Sequence, residues 1–434
     1  MRYGNALGLT ALLVLALPSF AQDPLPIGQS MSGYGGGGAP GTPCPSPAAP
    51  PLELPANLPT AWVEDPCPCE PYNMYFALDY VTYWINNDQR PLVTSSTAPF
   101  PLNNSGALGQ TNTVFVDPGA DAQNLNGARA TIGLACIAPI EISGMYLYGD
   151  RRRSLNSDAN GNPLFSRPIQ LAQDLSQTSF LGSFPGLTHG YVATETSTTV
   201  ATGEANVFLA PFLGDVRATG YVLDFHIGGR YFYLAEDMTN EVFQQTFSPF
   251  AAVAFGGGAF GPPGANFAQD IFKTRNHWYG GQFGIRSTYA ICDFLIFDAK
   301  SNFGFGNNRQ IVEIGGASAL FNATPAPLAL PGGIQAVPSN SGRFVRDVFS
   351  AYVDFTLTLE VPLTEDLRFN VGYNILFLSH MARPGEFLNN IVDTRQVPTD
   401  QNFIPGFVAN QPGFTWHDTD FFAQGLSVGL SYRY

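Results

Sequence analysis

Charged residues are scarce in this 434-residue chain. Asp, Glu, Lys and Arg together make up 12% of it, against about 25% in ordinary globular domains. Such a chain has few charges with which to cover a surface that faces water. Its net charge of −14, with only 20 Lys and Arg residues, argues against a nucleic-acid partner, because a phosphate backbone is bound by clustered basic side chains.

Long apolar runs are lacking after the N-terminus. No stretch of 18 or more apolar residues follows it, so the chain can enter a membrane only as a closed barrel, in which every backbone hydrogen bond is satisfied. Residues 1–21 have the pattern of a signal peptide, since Arg2 precedes an apolar run over residues 6–17 and Ala21 precedes Gln22. We therefore expect an exported protein.

Motifs that carry chemistry are lacking as well. The five cysteines are too scattered for a disulfide scaffold, and no histidine lies near the pair Cys67 and Cys69 to complete a zinc site. Residues 256–261 match the dinucleotide pattern GxGxxG but have no helix after them to receive a phosphate. The sequence thus predicts neither a cofactor nor a metal, and it does not predict an enzyme.

The segment over residues 22–72 is rich in Pro and Gly. Between Gln22 and Pro71, 13 of 50 residues are Pro and 7 are Gly, so this segment cannot bury enough apolar surface to offset the entropy of ordering. We interpret it as a disordered periplasmic segment that precedes a barrel domain over residues 73–434.

After residue 72 the hydrophobic pattern has a period of two, as strands require. In residues 348–361, for example, Phe349 and Phe355 belong to an apolar face, whereas Asp354 and Thr356 belong to a mostly polar one. Ten segments follow this pattern: 73–85, 127–137, 140–149, 203–213, 220–235, 276–291, 293–306, 347–361, 366–378 and 420–434.

The connections between these segments alternate in length. Four are tight turns, at 138–139, 214–219, 292 and 362–365, and the others, at 86–126, 150–202, 236–275, 307–346 and 379–419, are long. Short periplasmic turns and long outer loops are typical of an outer-membrane barrel. The sequence predicts an all-β fold, a closed antiparallel barrel of about ten strands, with twelve possible. Its last strand, which ends at Tyr434, has the features that barrel-assembly machinery reads.

The polar faces of the strands supply candidate lumen residues. Nine of them are predicted to point inward: Asp224, His226, Arg230, Asp298, Lys300, Asp354, Glu360, Arg368 and Asn370. In a narrow barrel such charges would pair across the lumen, because an unpaired buried charge is costly. The alternative is a narrow path for ions or small solutes, with charged rings that select among them.

The predicted outer loops supply candidate surface residues. These are the basic cluster Arg151, Arg152 and Arg153, and the rim residues His417, Asp418 and Asp420. A histidine beside carboxylates at a rim is suited to acid–base catalysis. Solvated rim charges are the commoner reason for such a group.

Several pieces of the chain resemble a known family. Their order resembles that of the planctomycete outer-membrane β-barrel family numbered seven, and they lie at 77–84, 90–95, 228–234, 274–282, 304–309, 371–374 and 383–385. The resemblance covers most of residues 73–434 and implies a barrel in an outer membrane, surrounded by its lipid. It implies no chemistry. Residues 256–264 and the Pro-rich segment depart from the family pattern.

Three functions are consistent with these features. The first is a structural or surface-interaction barrel with a plugged lumen, which the large share of loop residues favours. The second is a small passive channel. The third, much weaker, is a barrel enzyme with a rim site.

Overall fold

The computed structural model describes residues 74–86, 91–96, 105–110, 112–117, 123–134, 139–209, 220–248, 253–255, 258–260, 264–292, 294–321 and 328–434. The predicted signal peptide and the Pro/Gly-rich segment over residues 22–72 lie outside this part of the chain. No helix among the described residues is both long and apolar enough to cross a bilayer.

Ten long antiparallel strands of the described chain form a closed ring. They are β1 (Met74–Ile85), β2 (Gln123–Leu134), β3 (Ile140–Asn156), β4 (Thr188–Phe208), β5 (Tyr221–Thr246), β6 (Ala265–Cys292), β7 (Leu295–Phe321), β8 (Gly342–Pro362), β9 (Leu367–Met381) and β10 (Thr419–Arg433). Each strand pairs with its neighbours along the chain, and β10 pairs with β1. The ten predicted strands and the closed antiparallel barrel are confirmed.

The connections confirm the predicted alternation. The described ends of β2, β4, β6 and β8, and the starts of the strands that follow them, lie at one end of the barrel, which we call the short-turn end. The long connections lie at the other, the long-loop end. At the short-turn end the terminal strands are joined by backbone hydrogen bonds, from Met74 N to Tyr434 O (3.1 Å) and from Tyr434 N to Met74 O (2.8 Å). No free sheet edge is left there.

Strand lengths differ strongly around the ring. β1 and β2 have 12 residues each, whereas β6 has 28 and β7 has 27. At ~3.3 Å per residue and a tilt of ~40°, β6 measures about 70 Å along the axis, far more than an apolar band ~25 Å tall. One side of the barrel therefore projects well beyond the membrane.

This projection corrects several sequence-based boundaries. Arg151, Arg152 and Arg153 were expected in an outer loop but lie on β3, and β5 continues to Thr246 instead of ending near residue 235. The physical reason is that the outward side chains become polar once a strand leaves lipid, as at Asp237 and Glu241. Inward side chains there, such as Met238, are buried under the loops. The apolar-out pattern is then lost while the strand continues.

The outward face carries the large apolar side chains that the period of two predicted. Phe225, Tyr279, Phe283, Phe349 and Tyr373 are 37–68% exposed in the isolated chain. Exposed apolar area on this scale marks a surface that contacts lipid.

The long connections fold into a cap over the long-loop end. Its short strands are Val93–Ser96, Thr113–Asp117, Ser166–Leu171, Gln177–Leu181 and Ile391–Val392, which form a single sheet. An apolar cluster that includes Phe165, Ile169, Ile334 and Val397 packs this sheet against the inner faces of β4, β5 and β6. We use the name cap for the described residues 91–117, 157–187, 328–341 and 382–418.

Candidate functional site: the barrel lumen

Charged side chains form a continuous chain of ion pairs across the lumen. It runs through seven residues of alternating sign, in the order Asp298, Arg286, Glu141, Lys300, Glu204, Arg230 and Asp354. Arg286 lies 2.7 Å from Asp298 and 3.3 Å from Glu141, and Lys300 lies 3.1 Å from Glu204. Because β3 and β7 face each other across the ring, Lys300 and Glu141 join opposite walls.

Two further groups complete the charged zone. Near the short-turn end, Arg368 lies 2.8 Å from Glu360, and Arg433 lies 3.8 Å from the same carboxylate. Farther up, Arg129 pairs with Asp79 at 2.9 Å and donates to Asn374 Oδ1 on β9, also at 2.9 Å. All these side chains point inward, so the walls are held together through their polar faces.

A cavity remains between these groups. Its volume is about 130 Å³, well above the ~10–15 Å³ that a cavity needs to hold one water molecule. Charged residues such as Asp79, Glu141, Arg286 and Lys300 line it, together with hydroxyl groups such as that of Thr356. The charged zone is thus an ion-pair network around a polar cavity.

The structure places all nine predicted lumen residues on the inner face. Arg230, Asp298, Lys300, Asp354, Glu360 and Arg368 belong to the ion-pair groups described above. His226 lies 2.6 Å from Asn302 Oδ1, Asn370 lines the cavity, and Asp224 is buried beside Arg286 in the strand register. Asp298, Lys300 and Arg368 do not pair with one another, since each has another partner.

Sequence reasoning missed six charged members of the lumen. They are Asp79, Arg129, Glu141, Glu204, Arg286 and Arg433. The signal was present, because each occupies an inward position of a period-two strand. On β1, however, tyrosines occur on both faces, and Asp79 is the only charged residue of the strand. A lone charge was not enough to fix the inward face there.

An apolar layer closes the lumen next to the charged zone, on the side of the long-loop end. It takes side chains from nine of the ten strands, and its members are 0–4% exposed. Its aromatic members are Tyr83, Phe232, Trp278, Tyr352 and Phe421. The remaining strand, β7, contributes Gly304, where a Cβ atom would lie 3.1 Å from the Trp278 ring. That glycine leaves the room that the indole fills.

Beyond the apolar layer, the start of the 382–418 segment crosses the mouth of the barrel. Asn276 Nδ2 donates to Ala382 O (2.8 Å), and Ala382 N donates to Asn276 Oδ1 (2.9 Å). Next to it, Arg383 is 1% exposed and makes two hydrogen bonds to the Glu236 carboxylate, at 2.8 and 3.0 Å. Arg383 also donates to Asn86 O and Oδ1. The start of the 382–418 segment therefore closes the lumen a second time, on the long-loop side of the apolar layer.

The predicted surface residues are held by ordinary structural contacts. On β3, Arg152 pairs with Glu195 (3.1 Å) and Glu241 (3.0 Å), and Arg153 donates to Val116 O at 3.5 Å. Arg151 and Arg153 lie on the inner face of this strand, and Arg152 lies on the outer face. The basic cluster is therefore divided between the two faces of a strand.

The rim group does not form an acid–base constellation. Asp418 pairs with Arg346 and accepts a hydrogen bond from Gln310 (3.1 Å), while the Arg346 guanidinium lies 4.3 Å above the Trp416 ring. His417 makes no side-chain hydrogen bond within the described chain, and the backbone oxygen of Asp420 accepts from Asn86. Among the described residues no group of His, Cys, Asp and Glu has a metal-binding arrangement.

Several solved structures show a distant similarity to this chain. The outer membrane protease OmpT from Escherichia coli is 8% identical, with 84% of this chain and 97% of that chain covered and a TM-score of 0.33. A mutant of the monoaromatic hydrocarbon channel TodX is 8% identical, with 84% and 91% covered and a TM-score of 0.19. A Pseudomonas aeruginosa FadL homologue is 7% identical, with 83% and 90% covered and a TM-score of 0.21. No functional conclusion follows from likenesses this distant.

The sequence comparison is more specific. No curated protein matches the chain. Residues 75–434 match the family described as Putative beta barrel porin-7 (BBP7), which spans all ten barrel strands and confirms the resemblance seen in the sequence. The chain therefore belongs to this family of porin-like outer-membrane β-barrels.

Proposed function

We propose that this protein is a surface-interaction barrel whose lumen is closed at rest. The single observation that carries the proposal is the apolar layer, because side chains from nine strands meet there at 0–4% exposure. A hydrated ion would have to cross this layer without polar partners, at a cost of several kcal/mol or more. Passive conduction through the resting barrel is therefore disfavoured.

The cap supports a role at the cell surface. In an outer-membrane barrel the short turns face the periplasm and the long loops face outward, which puts the cap outside the cell. Four separate connections contribute to it, and two apolar clusters hold it together. A folded cap presents a fixed surface to partners.

Cysteine labelling on intact cells tests this orientation. Cys292 lies at the short-turn end and is the free cysteine of the described chain, so it should resist a membrane-impermeant thiol reagent. Ser154→Cys on the projecting part of β3 should react in a Cys292→Ser background, whereas Glu365→Cys at the turn between β8 and β9 should not. Labelling at Glu365 together with protection at Ser154 would contradict an outward cap.

A gated channel is the second candidate function. The polar cavity of about 130 Å³ favours it, because a charged half-lumen offers a path once the apolar layer and the second closure beyond it move. In such a gated channel the apolar layer is part of the gate. A barrel enzyme has no such support, since the rim carboxylate of Asp418 is engaged by Arg346.

A further inference from the structure

The outer wall of β6 changes character at Tyr279. From Cys292 up to this residue, the outward side chains include Ile291, Tyr289 and Phe283, and beyond it they are His277, Arg275 and Lys273. On the neighbouring strand β7, Arg309 lies directly beside His277 in the register. Three strong cations thus adjoin an aromatic belt on two adjacent strands.

The depth of these residues follows from strand geometry. Ile291 and Tyr279 are twelve positions apart on β6, which corresponds to about 30 Å along the axis at ~3.3 Å per residue and ~40° tilt. The apolar band of such a barrel is ~25 Å tall and is flanked by aromatic residues. Tyr279 therefore lies at the interface of the leaflet at the long-loop end, and the cations beyond it lie at headgroup depth.

Nearby acidic groups do not neutralise all of this charge. Arg275 pairs with Asp237 at 2.5 Å, and Arg343 pairs with Glu313 at 3.1 Å. Asp347, which neighbours Arg309 in the register, accepts instead from Asn307 at 2.9 Å. Lys273 lies between Asp237 and Glu313 in the register, but among the described residues neither Lys273 nor Arg309 forms an ion pair.

We propose that Lys273, Arg275 and Arg309 form a binding site for the phosphate headgroup of a lipid in the leaflet at the long-loop end. Guanidinium groups bind phosphate oxygens through two parallel hydrogen bonds, and an ammonium adds a point charge. The outward apolar side chains of β6 from Tyr279 to Ile291 fit the acyl chains of the same lipid.

An aromatic wall completes the site. The Tyr231 hydroxyl lies 2.8 Å from His277 Nδ1, and the Tyr233 ring packs against the imidazole at 4.9 Å. His277 is thereby fixed between the belt and the cations. The lipid would bind beside this wall.

The site is confined to one side of the barrel. On β3 the first outward residue beyond Tyr148 toward the long-loop end is Asp150. The next, Arg152, already forms ion pairs with two glutamates. On β10 the corresponding residue is Asp420. Phosphate lipids should therefore collect along β6 and β7 instead of coating the whole circumference.

A lipid titration tests the proposal. Folded full-length protein in neutral detergent is titrated with phosphatidic acid, with phosphatidylcholine of the same acyl chains, and with inorganic phosphate, and complexes are counted by native mass spectrometry. The double variant Lys273→Gln, Arg309→Gln should raise the dissociation constant for phosphatidic acid about thirtyfold. The matched control Arg343→Gln, an exposed pair farther from the belt, should change it less than about threefold.

One result of this titration supports the lipid site, and three results would overturn it. Preference for phosphatidic acid over phosphatidylcholine, lost in the double variant and kept in the control, supports the site. Equal binding of the two lipids overturns it, as does a double variant within about threefold of wild type. Displacement of the lipid by inorganic phosphate at comparable concentrations also overturns it, because the site would then bind a free anion and not a lipid.

Discussion

Replacing Arg383 by alanine should loosen the closure at the barrel mouth. The guanidinium is 1% exposed and holds the Glu236 carboxylate through two hydrogen bonds of 2.8 and 3.0 Å. Removing it leaves a carboxylate that is 3% exposed without its cation. Breaking a buried ion pair on one side costs about 3–5 kcal/mol, so we expect a loss of this size in the free energy of unfolding.

The assay is urea unfolding of the protein in lipid vesicles, followed by tryptophan fluorescence. Trp416 packs on Phe387 and Phe414 in the cap, so its emission reports on cap detachment. The matched control is Arg343→Ala, whose ion pair with Glu313 is more than half exposed on the arginine side and should contribute at most ~1 kcal/mol.

A compensating variant separates pairing from simple loss of contact. Glu236→Gln combined with Arg383→Met removes both charges and should restore most of the stability, because replacing a buried pair by neutral groups is often neutral. If Arg383→Ala costs no more than Arg343→Ala, Arg383 does not secure the closure and this reasoning is refuted.

The lipid-facing wall, the apolar layer and the cap each allow one further prediction. Phe355→Arg faces lipid and should lower folding stability by about 2–4 kcal/mol near the bilayer midplane, whereas Thr356→Arg, which lines the cavity, should be milder; equal effects in vesicle refolding would contradict the assignment of faces. Trp278→Ala in the apolar layer should cost about 3–5 kcal/mol in the same assay, and a cost below ~1 kcal/mol would show that the layer is not tightly packed. Hydrogen bonds from Arg395 lower the pKa of Asp393, so its stabilising contact should persist above the ordinary carboxyl pKa and weaken as the pH falls through the lowered one; hydrogen-exchange protection factors of residues 391–396, corrected for the intrinsic rate, that do not fall in acid would contradict this.

The sequence predicted the barrel well because lipid imposes a simple rule. Outward residues such as Phe349, Phe355 and Leu359 must be apolar wherever a strand crosses the bilayer, so the period of two is visible there. The same rule fails where strands leave the membrane, as in β5 beyond Ala235. Polar outward residues and buried inward ones then reverse the pattern.

The lumen was predictable only in part, for a related reason. Charges at inward positions of strongly alternating strands, such as Asp354 and Arg368, could be assigned. Apolar residues that point inward could not, because the lipid rule assigns a side chain like Trp278 to the outer face. The closing layer depends on contacts among nine strands, and no local pattern specifies such contacts.

The lateral placement of the 382–418 segment was equally hidden. Its contact with β5 includes the ion pair of Arg383 and Glu236, which are 147 positions apart in the chain. Only the closed ring brings them together. A single sequence gives the two charges but not their pairing.

Single-channel recording in a planar bilayer tests the central claim of a closed lumen most directly. We predict that purified wild-type protein, shown to be folded and inserted, gives no stable conductance, and that combining Trp278→Ala, Tyr352→Ala and Phe421→Ala in the apolar layer with Arg383→Ala in the second closure opens one. A stable conductance of the wild-type barrel would contradict the claim.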